Sequence, residues 1–234
     1  MELKNGLFDR LRPSQIEAIK NEFPIAYLPW GAIEYHGCHN PTGLDTHKAF
    51  HLVKDLAKVN GGLVFPPISL AANLISSYPG ADFKQHSIEF SEDLIQTICT
   101  EYFEQLAKQD FKIVVLLSGH AGEPHLQILR DTAEKFNAKY PNNYFWTLAE
   151  FDVIPDELLV ANHSAIGETA LQLYYEAQTV ALNCLPKDGE ITLEEHAVSG
   201  EDPRPATAAL GKKIITSFIT NATQKINELK KEYL

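Results

Sequence analysis

The sequence predicts an α/β fold, a three-layer α/β/α arrangement with a mostly parallel central sheet. Segments with strand-like and helix-like patterns alternate along the chain, as they do in βαβ units. The clearest strand, residues 112–117, is a continuous aliphatic run, which is typical of a strand covered by helices on both faces. The length of 234 residues suits one domain over residues 1–234.

The first half of the chain alternates helices and strands up to a long loop. Helices are predicted where apolar residues such as Ile16 and Ile19 recur three or four positions apart, and strands where short apolar runs contain β-branched and aromatic residues. The predicted elements are a helix over 13–23, a strand over 24–30, a helix over 46–59, a strand over 63–65 and a helix that begins after Ser91. Residues 66–86 are loop-like, and a loop of this length is usually functional.

The second half continues the alternation by the same criteria. Its predicted elements are the strand over 112–117, a helix over 124–140, a strand over 144–148, a helix that continues from the segment 161–169 through Tyr174, and a helix over 206–233. Right-handed crossovers between parallel strands would bring the carboxyl ends of the strands to one edge of the sheet. The loops that follow those strands should therefore meet there.

The composition limits the possible partners. Lys and Arg number 20 against 31 Asp and Glu, a net charge of −11, which disfavours nucleic acid because phosphate contacts need basic side chains. No apolar run approaches the roughly 18 residues of a membrane helix, and the N-terminal residues lack the apolar core of a signal peptide. Cys38, Cys99 and Cys184 are odd in number and far apart, which fits a reducing compartment. We therefore expect a cytoplasmic protein without a membrane or nucleic-acid partner.

The stretch LPWGAIEYHGCHNPTGLDTH, which overlaps the end of the first predicted strand, is rich in possible metal ligands. Glu34 and His36 are two residues apart, so in an extended backbone their side chains point to the same side. Asp45 follows a turn, and its two oxygens could bridge two ions. His120, at a strand end, and Glu168, at a helix start, are further candidates. Carboxylate oxygens and imidazole nitrogens are the ligands expected for Zn²⁺ or Mn²⁺.

Several of these residues also have a structural interpretation. Asp45 precedes a predicted helix and could be its N-cap. His120 could be an internally hydrogen-bonded histidine, and Glu168 could favour the dipole of the helix that it begins. The spacing alone leaves both interpretations open.

Four segments, in order along nearly the whole chain, resemble the creatininase family. The run PWGAIEYHGCHNPTGLDT is similar to the first family signature, roughly P-x-G-x-x-E-x-H-G-x-H-L-P-x-x-x-D, with Asn40 in place of the leucine. Ser118-Gly119-His120 is similar to the second signature, N-G-H-G-G-N. The run from His163 to Thr169 is similar to the third, H-A-G-x-x-E-T. The stretch from Gly200 to Thr207 resembles the family pattern before the last helix.

The resemblance implies a metal-dependent hydrolase of a non-peptide C–N amide bond, like creatinine amidohydrolase. It implies two divalent ions per subunit, Zn²⁺ and/or Mn²⁺, which activate a bridging water. One ion would be held by Glu34, Asp45 and His120, and the other by His36, Asp45 and Glu168. The resemblance also implies catalytic roles for His163, as the general acid, and for Glu168, and a homo-oligomer that is commonly a hexamer.

The chain departs from creatininase proper after His120. That enzyme has tyrosine and glutamate next, whereas this chain has Ala121 and Gly122, with Glu123 one residue later. The amide substrate therefore stays open, and the candidate substrate-binding residues are Tyr78, His86 and Glu123.

Two further functions also stay open. Relatives deformylate a pyrimidine nucleotide formamide or trim small peptides, and a phosphorylated substrate would need basic residues in the pocket. Lys84 and Arg204 are the candidates for that role. A non-catalytic, metal-binding oligomeric protein with the same fold is the alternative from a different class.

Overall fold

The computed structural model describes residues 4–234, which contain one six-stranded sheet flanked by helices. The strands are β1 (Asn5–Leu7), β2 (Ile25–Gly31), β3 (Gly62–Val64), β4 (Ile68–Ser69), β5 (Ile113–Ser118) and β6 (Tyr144–Ala149). The α-helices are α1 (Pro13–Glu22), α2 (Leu44–Asn60), α3 (Glu92–Lys108), α4 (His125–Lys139), α5 (Ile166–Glu176), α6 (Leu193–His196) and α7 (Ala208–Tyr233). All pairings between these strands are parallel, which confirms the predicted sheet.

The order of the strands places β2 and β5 at the centre of the sheet. The order is β1-β3-β2-β5-β6, and β4 pairs with the end of β2. Every residue of β2 and β5 is buried. The register pairs Trp30 with Ser118, so both strands end at the same level. The loops that follow them consequently start side by side.

Helices cover both faces of the sheet, which confirms the three layers. Side chains alternate along β2, so Ile25 and Tyr27 join one core while Ala26 and Leu28 join the other. The first core contains residues of α2, α5 and α7, and the second contains residues of α1, α3 and α4. Among the described helices, none combines the length and the apolar character that crossing a membrane requires.

Two short strands were not predicted from the sequence. Asn5–Leu7 contains asparagine and glycine, which are depleted in strands, yet it pairs in parallel with Gly62–Val64. Ile68–Ser69 lies in the segment predicted as a loop and pairs with the last two residues of β2. Both segments are strands because a neighbouring strand offers them hydrogen bonds, which a local pattern does not reveal.

The first turn of α2 lies unusually close to the ends of β2 and β5. A Cβ atom at Gly31 would overlap with the backbone of Thr46, and one at Gly119 would overlap with the carbonyl of Asp45. Neither glycine is among those with a positive φ, so the constraint is one of space. These two glycines allow the start of α2 to pack directly on the carboxyl edge of the sheet.

We expect Gly31→Ala to destabilise the fold, because the added methyl group would push α2 away from β2. Overpacking of this kind costs about 1–3 kcal/mol of unfolding free energy. Urea denaturation followed by circular dichroism would measure it. Gly6→Ala is the matched control, since the atoms nearest to its Cβ would belong to the flexible side chain of Leu11, so it should cost less. Wild-type stability in the Gly31→Ala protein would contradict this account of the packing.

Candidate metal centre

The polar side chains that meet at the carboxyl edge of the sheet come from four places in the fold. Glu34 and His36 lie in the loop after β2, and His120 follows β5. Asp45 is in the first turn of α2, and Glu168 is in the first turn of α5. All five side chains are buried, and Asp45 is only 1% exposed. The structure therefore brings together the five predicted metal ligands.

The first group consists of Glu34, Asp45 and His120. His120 Nδ1 lies 2.9 Å from Glu34 Oε2 and 3.5 Å from Asp45 Oδ2. One ligand atom from each residue lies within 4.8 Å of the other two. We call the space between these atoms the first position.

The second group consists of His36, Asp45 and Glu168. His36 Nε2 lies 3.2 Å from Asp45 Oδ1 and 3.8 Å from Glu168 Oε2. These ligand atoms also lie within 4.8 Å of one another, and we call the space between them the second position. Asp45 belongs to both groups and directs a different oxygen to each histidine.

The backbone fixes which nitrogen of each histidine faces the carboxylates. His36 Nδ1 is 3.1 Å from the Glu34 carbonyl oxygen, and His120 Nε2 is 3.2 Å from the Ala72 carbonyl oxygen. A carbonyl oxygen only accepts, so each of these nitrogens is the N–H donor. When the rings are neutral, His36 Nε2 and His120 Nδ1 face the carboxylates with a lone pair, an arrangement typical of metal-binding histidines.

The surrounding contacts test the structural interpretations of Asp45, as an N-cap, and of Glu168, as a residue that favours the helix start. The N-cap of α2 is Gly43, and Asp45 lies inside the helix, so the N-cap interpretation of Asp45 is wrong. Glu168 Oε2 does accept a hydrogen bond of 2.6 Å from the Ser164 backbone N–H at the start of α5. That oxygen also faces His36, so the helix-start role and a ligand role are compatible.

Several buried atoms of this cluster lack a hydrogen-bond partner. Within the described part of the chain these atoms include Glu34 Oε2, His36 Nε2 and Asp45 Oδ2. Buried polar atoms rarely stay unpaired, because desolvation is costly. A lone-pair nitrogen and carboxylate oxygens that face one another need either an added proton or a cation between them. The donor set of nitrogen and oxygen fits Zn²⁺ or Mn²⁺.

The electrostatics of the cluster favour positive charge. Burial lowers the pKa of His36, but Asp45 and Glu168 outweigh it and raise this pKa to about 9. Burial also opposes the charge on His120, yet Glu34 and Asp45 hold its pKa well above the usual value. Burial would raise the pKa of Asp45, but His36 and His120 keep it well below the usual range. Protons therefore occupy the histidines at neutral pH unless a cation displaces them.

His163 lies beside the two groups, on the loop before α5. Its backbone pairs with Ser199 through hydrogen bonds of 2.8 and 2.9 Å, and its ring lies 4.3 Å from the ring of His36. Nε2 is 3.0 Å from the Tyr35 carbonyl oxygen, so Nε2 is the donor and Nδ1 carries the lone pair. Burial and the neighbouring His36 lower the pKa of His163. The chain thus holds a neutral imidazole next to the ligand atoms of Glu34 and His36.

A cavity of about 220 Å³ opens onto these residues. Its wall includes Tyr78, one of the predicted substrate-binding residues, together with apolar side chains such as Leu74, Ile75, Phe151 and Leu193. The volume suits a small molecule with an apolar part.

The other residues proposed from the sequence lie elsewhere. His86 lines a separate depression beside Tyr35, and Glu123 accepts a hydrogen bond of 3.2 Å from the Gln127 backbone N–H. Lys84 pairs with Asp82 at 3.2 Å, and the Arg204 guanidinium is bound by Asp202 and by backbone carbonyls. None of these four side chains is among the described residues that line the cavity.

Two charged residues of the cavity wall were missed from the sequence. Lys48 and Glu150 are buried and line the cavity, and Lys48 Nζ lies 2.6 Å from oxygens of both Glu150 and Glu168. The available signal was the spacing of Lys48 from Asp45, since residues three apart share a helix face. Glu150 carried no such signal, because it follows a strand without any motif.

Divalent-cation binding should strengthen as pH rises from 6 to 8. The raised pKa values of His36 and His120 mean that each cation must displace a proton, so each affinity should rise about tenfold per pH unit. Calorimetric titration of chelator-treated protein with Mn²⁺ or Zn²⁺, in buffers of different ionisation enthalpy, would count the released protons. Equal dissociation constants at pH 6 and pH 8 would contradict this assignment.

Comparison with solved structures shows which proteins share this fold. Three similar solved structures are named Creatininase Mn, a creatininase variant of Zn–Zn type, and a creatininase variant complexed with creatine. Their identities to this chain are 18%, 16% and 16%, and their TM-scores are 0.79, 0.78 and 0.77; each alignment covers 97% of this chain and 98% of the other. Such low identities show a common fold.

The search of curated proteins found no match to this chain. The family model described as "Creatininase: Creatinine amidohydrolase" matches residues 9–226 of the 234. The match confirms the resemblance seen in the four sequence segments, and this protein belongs to the creatininase family.

Proposed function

We propose that this protein is a metal-dependent amidohydrolase that cleaves a non-peptide C–N amide bond in a small molecule. The observation that carries the proposal is the pair of ligand groups that share Asp45 and contain buried atoms without hydrogen-bond partners. Glu34, Asp45 and His120 would hold one divalent ion, and His36, Asp45 and Glu168 would hold the other. Family membership and the relatives named for Mn and for Zn–Zn support this choice of cofactor.

Two bound divalent ions would lower the pKa of a water molecule and polarise the amide carbonyl. The residues of this chain would supply the binding geometry and the proton transfer. Asp45 would keep the two positions adjacent because each of its oxygens faces a different histidine. The cavity wall would hold the amide against this edge of the sheet.

His163 is the residue that we propose to move the proton. As a neutral imidazole, its Nδ1 would accept a proton from the water as the water oxygen bonds to the carbonyl carbon. The same nitrogen would then act as general acid and protonate the leaving nitrogen as the C–N bond breaks. The hydrogen bond from Nε2 to Tyr35 would hold the ring in this orientation, and the lowered pKa favours release of the proton.

The substrate that we propose is a small amide other than creatinine. Ala121 and Gly122 line the cavity where creatininase proper has tyrosine and glutamate, so this wall lacks two polar side chains. A phosphorylated substrate has less support, because Lys84 and Arg204 are paired elsewhere. We also propose, from family membership, a cytoplasmic homo-oligomer, for which sedimentation would test the expected hexamer.

Removal of metal should abolish turnover of the amide substrate. Treatment with EDTA should reduce activity on a panel of small cyclic and linear amides to background, and added Mn²⁺ or Zn²⁺ should restore it. Elemental analysis of the active protein should give two ions per chain. A panel on which added metal never changes turnover would reject the enzymatic proposal and favour a non-catalytic metal-binding protein.

His163→Gln should separate proton transfer from metal binding. Loss of a general acid–base group costs about 10²–10⁴-fold in turnover, so kcat should fall by that factor. The metal content should stay the same, because the ligand groups at both positions remain. Lys84→Ala is the control, since this exposed side chain pairs only with Asp82 among its described contacts. Full activity in His163→Gln would contradict the assigned role.

A further inference from the structure

Lys48 and Glu150 form a buried ionic cluster with Glu168 at the wall of the cavity. Lys48 Nζ lies 2.6 Å from Glu150 Oε1 and 2.6 Å from Glu168 Oε1. The three residues are only 2–3% exposed. A buried ammonium group is stable only when carboxylates or other acceptors surround it, and here two carboxylates do so. The proton transfer described above makes no use of Lys48 or Glu150.

The contacts of Glu168 differ between its two oxygens. Oε1 accepts from Lys48, whereas Oε2 accepts from the Ser164 backbone N–H at 2.6 Å and lies 3.8 Å from His36 Nε2. A carboxylate bound at both oxygens cannot rotate freely about its last torsion. Its orientation is therefore fixed, and only Oε2 faces the second position.

The charges of Lys48 and Glu150 offset each other near the second position. A lysine alone would repel a divalent ion a few ångströms away in a buried site. Glu150, in direct contact with Lys48, supplies the opposite charge at a similar place. The pair can therefore orient Glu168 with little net effect on the charge that a cation would meet.

We propose that Lys48 and Glu150 are a positioning pair that holds Glu168 as a one-oxygen ligand of the second position. The inference rests on the proposed two-ion function and adds two residues outside the family signatures. The first position relies instead on Glu34 and His120, and His120 Nδ1 faces the carboxylates of Glu34 and Asp45. Loss of the pair should therefore affect one position selectively.

The test is a charge-neutral double variant, Lys48→Met with Glu150→Gln. Chelator-treated full-length protein would be titrated with Mn²⁺ and with Zn²⁺ by calorimetry, and bound metal would be counted by elemental analysis. Removing a residue that orients a ligand typically costs 10–100-fold in metal affinity. We expect that loss for one equivalent of metal, with the other equivalent unchanged.

Two further variants, each of which lacks a ligand of one position, identify the position at which the metal affinity has changed. His120→Asn removes a ligand of the first position, so metal bound in this background reports the second position. His36→Asn removes a ligand of the second position and reports the first. The double substitution should weaken binding in the His120→Asn background and leave it unchanged in the matched His36→Asn background.

Each result either supports the pair or overturns it. Unchanged affinity for both equivalents, or equal weakening of both, would overturn the positioning role. Should circular dichroism show that the double variant is unfolded, Lys48→Gln with Glu150→Gln replaces it, because two neutral amides can hydrogen-bond to each other. The shorter, uncharged side chain at position 48 no longer reaches Glu168 Oε1, so the second position should again weaken selectively, and unchanged affinity would overturn the proposal. Failure of the unmodified protein to bind two ions would instead reject the proposed function itself.

Discussion

The close packing of the start of α2 on the ends of β2 and β5 is the constraint on which the centre depends. Asp45 can reach two histidines from different loops only because Gly31 and Gly119 leave no side chain between the helix and the sheet. The parallel register then sets the two loops at the same level. The geometry of the candidate centre therefore follows from backbone packing as much as from its polar side chains.

The fold also has to stabilise an unusual concentration of buried charge. Four carboxylates, those of Glu34, Asp45, Glu150 and Glu168, are buried around one cavity. Lys48 is the permanent positive charge among the described residues that line it, and protonated histidines supply the rest. Burying charges of one sign is costly, so the centre needs cations, either protons or metal ions. The same imbalance that makes the site costly to fold would favour a divalent ion at the proposed centre.

The candidate ligands could be predicted from the sequence better than the residues that support them. Motif spacing and the family resemblance predicted Glu34, His36, Asp45, His120 and Glu168 as candidate ligands, which the structure brings together, and alternating patterns predicted the layers, because these signals are local. Lys48 and Glu150 meet across 102 positions of sequence, and β1 and β4 form only beside their partner strands. Such contacts depend on the tertiary arrangement, and no local pattern encodes them. Asp45 shows the limit of local patterns. Its position before a predicted helix suggested that it is the N-cap, whereas the N-cap in the structure is Gly43.

Two departures from the family signatures contact each other in the structure. Asn40 stands where the first signature has leucine, and Ser164 follows His163 in the third signature. Both are buried, and Asn40 Nδ2 lies 3.3 Å from Ser164 Oγ and 2.9 Å from Thr169 Oγ1. A leucine at position 40 would leave the buried hydroxyl groups with fewer partners, and such unpaired groups are costly. The polar pair therefore joins the loop that carries His36 to the segment that carries His163.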